Sequence, residues 1–184
     1  WKTAYYDNQS KWENGALYVD NVLVSVDLNT LGKTYEVKSG TKAIAGAVFK
    51  GSSTLEKVVL PDSLVSIGSS AFSNCEYLKD IILPDSLVSI GPSAFSYCYY
   101  LQNIKMPKTV QYLGQYAFIG CFRLEKVEIG SVTECGYSVF SGCDRLNTVT
   151  FADGASVVGG YMFDGCEKLK TVSLCDSIEV IGDG

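Results

Sequence analysis

The stretch Leu60–Cys75, LPDSLVSIGSSAFSNC, is written a second time at Leu83–Cys98 as LPDSLVSIGPSAFSYC, with changes only at Ser69/Pro92 and Asn74/Tyr97. The offset from Leu60 to Leu83 is 23 residues, and looser copies continue to Gly184. Self-similarity at a period of 20–50 residues is the mark of a stacked array, in which one unit cannot bury its apolar face alone. The expected fold is therefore a repeat solenoid, with coils piled in register.

Working outward, phenylalanine recurs at Phe49, Phe72, Phe95, Phe118, Phe140 and Phe163, in steps of 23, 23, 23, 22 and 23. Leucine keeps the same steps from Leu55 to Leu169, with an apolar residue three and five positions after each leucine. Those last two positions alternate as in a half-buried strand. The short step falls between Ile129 and Gly136. Pro61, Pro84 and Pro107 end the strand, because proline donates no ladder hydrogen bond. A second short apolar stretch turns back, and Gly68, Gly91, Gly114, Gly136, Gly159 and Gly182 mark a corner where positive φ is expected. A tight helical or irregular turn closes each coil.

Residues 1–34 lie outside this period. Ala16–Val19 and Val22–Val26 read as a hairpin about Asp20-Asn21, and Trp1, Tyr5, Tyr6 and Trp12 precede it. The end coil of a solenoid exposes its core unless it is covered, so residues 1–34 are expected to form an N-terminal cap and 35–184 about six repeats, the last truncated. A separate small binding or linker module is the alternative.

The net charge is −5. Nucleic-acid binding needs a concentrated basic surface, and anionic lipid needs a polybasic segment, so neither partner is expected. There is no run of 18 apolar residues to enter a bilayer. The chain has no histidine, which removes the usual general base, the histidine-paired nucleophiles and a common metal ligand. An enzyme would have to work with carboxylates, Lys, Tyr or Cys. No cofactor is expected.

Five cysteines form a column: Cys75, Cys98, Cys121, Cys143 and Cys166. Side chains of a parallel ladder keep the coil spacing of ~4.8 Å, wider than the ~3.5–4.5 Å between Cβ atoms that a disulfide prefers. Buried thiols acting as small hydrophobes are expected, with adjacent disulfides or a metal as alternatives. Cys135 and Cys175 are off the column. Asp62 and Asp85 follow the corner prolines, but Lys108 breaks the acidic row, so these carboxylates are expected to bond local backbone in turns.

Two surfaces are candidates for contact. The open face of the main sheet carries Lys57, Asp80 and Lys126 two residues after the leucines, and Val59, Ile82, Lys105 and Glu128 four residues after them. The column just before each leucine reads Tyr77, Tyr100, Arg123, Arg145 and Lys168, beside Tyr97, Tyr99 and Phe122. Tyr and Arg are over-represented at binding hot spots, so Tyr77, Tyr99, Tyr100, Phe122 and Arg123 are expected to form an exposed aromatic-basic patch. The alternative is that the rings pack flat across adjacent coils and stabilise the turns.

The pattern L-x-x-[IV]-x-[LI]-P-x-[ST]-[LV]-x-x-[IL]-G-x-x-A-F-x-x-C, carried in full by Leu55–Cys75 and Leu78–Cys98, resembles the BspA-like leucine-rich repeat. It departs from that pattern at Gly130, Ala152 and Cys175, where proline is expected. The resemblance implies a right-handed leucine-rich-repeat solenoid, rich in β-structure, with a parallel sheet on one face. It further implies a secreted or cell-surface protein engaged in adhesion, with no catalytic residues. The expected function is extracellular recognition of a protein or glycan ligand on host or neighbouring cells. The alternative is a structural spacer that projects other domains.

Overall fold

The computed structural model describes residues 12–184; Trp1, Tyr5 and Tyr6 lie outside the described residues. The chain is a β-solenoid, and no helix occurs among the described residues. The coil-closing segments are runs of turns rather than helix. The amide of Ala71 donates to the carbonyl of Gly68, Ser73 to Ser70, Cys75 to Phe72 and Leu78 to Cys75.

Each coil contributes two short parallel strands. The first set is Thr34–Glu36, Lys57–Val59, Asp80–Ile81, Asn103–Lys105, Lys126–Ile129, Thr148–Phe151 and Thr171–Ser173. Its register is one coil per step: Ile104 pairs with Val127, and Val127 with Val149. The expected alternation holds, with Val58, Ile104 and Val127 buried and the residues on either side exposed. The second set, two residues per coil, runs from Ala43–Ile44 through Ser66–Ile67, Ser89–Ile90 and Tyr112–Leu113 to Glu134–Cys135. The hairpin of Ala16–Val19 and Val22–Val26 joins this second sheet, Leu23 pairing parallel with Ile44.

Both strand sets are divided, at different places. The second set forms an eight-stranded sheet from Trp12–Glu13 to Glu134–Cys135 and a separate pair, Val157–Val158 with Val180–Ile181, whereas the first set forms a three-stranded and a four-stranded piece. The division of the first set falls between Asp80–Ile81 and Asn103–Lys105.

The core is a set of parallel columns. The rings of Phe49, Phe72, Phe95, Phe118 and Phe140 are fully buried. They stack at centroid distances of 4.9, 5.1, 5.0 and 5.3 Å, with planes within 14° of parallel. Their amides hold the spacing: that of Phe72 donates to the Ala94 carbonyl at 2.7 Å and that of Phe95 to Ala117 at 2.7 Å.

The corner glycines are required for a reason other than φ. None of Gly68, Gly91, Gly114, Gly136, Gly159 or Gly182 has positive φ. A Cβ on Gly114 would lie 2.3 Å from the Pro92 nitrogen, and one on Gly68 2.7 Å from the Gly46 nitrogen, so the corner backbones touch where a side chain would stand. The proline missing at Gly130 has the same explanation, since a Cβ there would lie 2.1 Å from the Pro107 carbonyl oxygen.

Most of the left-handed residues form two other columns. One is Ala47, Ser70, Ser93, Tyr116, Ser138 and Tyr161; the other is Gly51, Asn74, Tyr97, Gly120, Gly142 and Gly165.

Candidate recognition surface

Cys75, Cys98, Cys121 and Cys143 are buried, as expected of small hydrophobes, with Cys166 partly buried, and the column does more than fill space. All seven thiols are free. The thiols of Cys98, Cys121, Cys143 and Cys166 donate to the carbonyls of Phe72, Phe95, Phe118 and Phe140 one coil earlier, at 3.2–3.3 Å. Each of these carbonyls also accepts the amide of the cysteine in its own turn. The thiol thus takes the second lone pair of a buried carbonyl, a role that residue spacing does not announce. Burial pushes the Cys75 thiol up to about 12, and it raises Cys98 and Cys121 well above the ordinary value.

The expected role of Asp62 and Asp85 is not what the turns use. No hydrogen bond to either carboxylate occurs among the described residues. The neighbouring Ser63 and Ser86 hydroxyls instead donate to the Thr41 and Leu64 carbonyls of the preceding coil, at 2.8 and 2.6 Å.

The residues of the aromatic-basic patch come together on the turns that precede the first strands. Tyr77 stacks on Tyr100 at 5.5 Å, and the Arg123 guanidinium lies 4.1 Å from the Tyr100 ring centroid. Beside that row Tyr99 stacks on Phe122 at 5.0 Å and 6°, and Tyr97 meets Tyr99 edge-on at 6.3 Å. Both sequence readings are therefore met in part: the rings pack across adjacent coils, and they also reach solvent. Tyr77, Phe122 and Tyr97 are 43%, 42% and 39% exposed, while Tyr99, Tyr100 and Arg123 are half-buried.

Tyr97 stands out. It has φ +58° in a column otherwise filled by glycine and Asn74, a conformation that costs a bulky residue about 1–3 kcal/mol. Its ring lies across Gly120, where a Cβ would be 2.5 Å from Tyr97 Cδ1. The column of Gly, Asn, Tyr, Gly, Gly and Gly is legible in the sequence and was the available signal for this position.

The open face of the first-strand sheet presents Lys57, Val59, Lys105, Lys126 and Glu128 as exposed side chains; the side chain of Asp80 lies outside the described part. Lys105 pairs with Glu128 at 3.4 Å. Ile82 is 83% exposed and borders a cleft of about 550 Å³ at the sheet division, lined by Val59, Ile81, Pro84, Lys57, Lys79 and Asn103 among others. The cleft lies where the pairing is lost, between the coil of Asp80–Ile81 and that of Asn103–Lys105, and the sequence reading did not anticipate it. At its rim Glu56 bridges Lys33 and Lys79, each at 2.8 Å, and hydrogen bonds from these ammonium groups lower its carboxyl to about 2. A further aromatic group, missed by the sequence reading, occupies the coil edge after the second strands. There Tyr116 meets Tyr137 at 4.8 Å, with Tyr161 exposed in the column of Tyr116.

Fold and surface together define a class: a parallel-coil repeat protein whose side chains are displayed in rows one coil apart. The sequence profile described as BspA type leucine rich repeat region matches six copies over residues 29–147 and 66–184. The chain belongs to this family. It is similar to a leucine-rich repeat protein of T. pallidum, at 30% identity and a TM-score of 0.78, over 88% of this chain and 77% of that one. A leucine-rich repeat protein from Bacteroides ovatus is also 30% identical, with a TM-score of 0.75 over 88% of this chain. A leucine rich cell surface protein from Faecalibacterium prausnitzii matches at 30% identity and 0.66 over 76% of this chain. The chain spans 43% and 40% of those two proteins. No curated protein matches it.

Proposed function

We propose that the chain is a non-enzymatic recognition module of a cell-surface protein, and that it binds a protein or glycan ligand through Tyr77, Tyr97, Tyr99, Tyr100, Phe122 and Arg123. The observation that carries this reading is the clustering of these six side chains into stacked rows that remain partly exposed, with Tyr97 at positive φ and 39% exposed. An aromatic residue at this φ does nothing for the coil that glycine does not, since glycine fills four of the six equivalent positions and Asn, which tolerates the left-handed region, a fifth. A surface setting is supported by family membership and by the similar cell-surface protein of F. prausnitzii. The face bearing Lys57, Val59, Ile82, Lys105, Lys126 and Glu128 is the second contact region, continuous with the patch through Lys79 and Gln102.

The test is a binding screen of the protein against immobilised matrix proteins and a glycan panel, with the double substitution Tyr99→Ala/Tyr100→Ala as control. Saturable binding that the substitution weakens at least about tenfold, a loss of ~1.4 kcal/mol, is expected, with the protein still cooperatively folded and the melting temperature lowered by about 10 °C at most. A protein that captures nothing saturably acts as a spacer.

A further inference from the structure

The stacking of the outer rings determines which part of them a ligand meets. Tyr99 and Phe122 cover each other's faces, as do Tyr77 and Tyr100, and Arg123 covers another face of Tyr100. Both faces of the half-buried Tyr100 ring are thus covered, and each of Tyr77, Tyr99 and Phe122 has one face covered by its partner. Tyr100 can offer a ligand only its edge, the positive side of the ring quadrupole, which favours an oxygen atom over the apolar face of a sugar.

Arg123 supplies the positive charge of the patch, whose Tyr99–Phe122 row begins at Glu76 and ends at Asp144. The ion pairs found among the described residues use Lys33, Lys38, Lys79 and Lys105. Arg145 and Lys168 follow the acids Asp144 and Glu167, while Arg123 follows Phe122. Its guanidinium is fixed by stacking on Tyr100, which orients the fork of N–H donors that matches a carboxylate. The rows also have a definite period, 5.0 and 5.5 Å from ring to ring. Same-side groups of an extended peptide recur at about 6.5–7 Å, twice the strand rise, and so fall out of step. One pyranose unit of an extended glycan advances by about the same length as one coil.

We propose, resting on the recognition reading above, that these turns bind a carboxylated oligosaccharide laid along the solenoid axis. One carboxylate sits on the Arg123 guanidinium, and successive sugar hydroxyls meet the hydroxyls of Tyr77, Tyr97, Tyr99 and Tyr100. The Tyr hydroxyl both donates and accepts, which suits a ligand whose own hydroxyls do the same.

Calorimetric titration with hexagalacturonate, its methyl ester, maltohexaose and hexaglutamate tests this. Hexagalacturonate is expected to bind, at least about tenfold more tightly than its methyl ester or maltohexaose, and more weakly as salt rises. Arg123→Gln should reduce that affinity about tenfold and Arg123→Lys should restore only part of it. The ester comparison uses the unaltered protein and stands even if a variant folds poorly. Equal binding of the ester, or no effect of Arg123→Gln in a folded variant, overturns the carboxylate assignment. Binding of hexaglutamate with no oligouronate binding also overturns it, in favour of an acidic protein partner. In either case the recognition reading survives if Tyr99→Ala/Tyr100→Ala still abolishes capture; silence of all probes and of the matrix and glycan panel removes both.

Discussion

The molecule contains two aromatic ladders with nearly the same geometry and opposite surroundings. Inside, Phe72, Phe95 and Phe118 stack at 5.0–5.1 Å and are wholly buried; outside, Tyr99 and Phe122 stack at 5.0 Å with Phe122 42% exposed. The spacing cannot be what distinguishes them, because one backbone ladder sets it for every column of the coil. Surroundings distinguish them. The inner rings are shielded on all sides, so removing one leaves a cavity; the outer rings leave only a gap that water fills. The inner ladder holds the coils together, and the outer one is free to hold something else.

The comparison breaks most sharply at Phe95. Phe95→Ala should lower stability by about 3–5 kcal/mol through the cavity it opens, read from the denaturant midpoint. An effect below about 1 kcal/mol would mean that the coils are not held by this row.

Next in size is the corner column. Gly114→Ala places a Cβ 2.3 Å from backbone that cannot move alone, and a loss of about 1–3 kcal/mol is expected. Gly32→Ala, whose nearest neighbour would be 3.9 Å away, should stay within about 0.5 kcal/mol. Equal melting temperatures for the two variants would refute the contact explanation of the corners.

The inner thiols give a dependence on pH. Burial raises their folded values above the ordinary 9.0, to about 12 for Cys75. The neutral thiols therefore favour the folded state fully below pH 9, and that stability is lost as pH rises from 9 towards 12. Denaturation at stepped alkaline pH should show this slope, and Cys98→Ala should shallow it. Alkylation followed by mass spectrometry should label Cys175, which is only partly buried, before Cys98 or Cys121.

Smallest are the outer positions. Tyr100→Ala should cost about 0.5–1.5 kcal/mol, the worth of one aromatic pair. Tyr97→Asn, which copies Asn74, should leave the melting temperature unchanged or slightly raised, because strain relief offsets the lost Tyr99 contact. A marked fall in melting temperature for Tyr97→Asn would make that ring a structural member of the turn.

Much of this was legible in the linear sequence. The Phe, Leu and Cys columns announce a stacked coil, the hairpin at Ala16–Val26 is marked by its turn residues, and Tyr77, Tyr99, Tyr100, Phe122 and Arg123 fall in adjacent rows simply by counting. The corner glycines were legible as a column but not in their cause, which lies in the backbone of the neighbouring coil. The hydroxyls of Ser63 and Ser86, not the carboxylates beside them, reach back to that coil.

By itself the sequence determined the period, because an amide ladder can add coils only if like residues recur at one interval. It determined which columns are apolar and hence which way the coil closes. Only the tertiary structure decided that the thiols serve the Phe carbonyls, that the first-strand sheet divides after Ile81, and that Tyr100 is held between Tyr77 and Arg123. Each of these depends on where a neighbouring coil places its atoms within a few tenths of an ångström, and a one-dimensional pattern fixes which residues meet but not how closely.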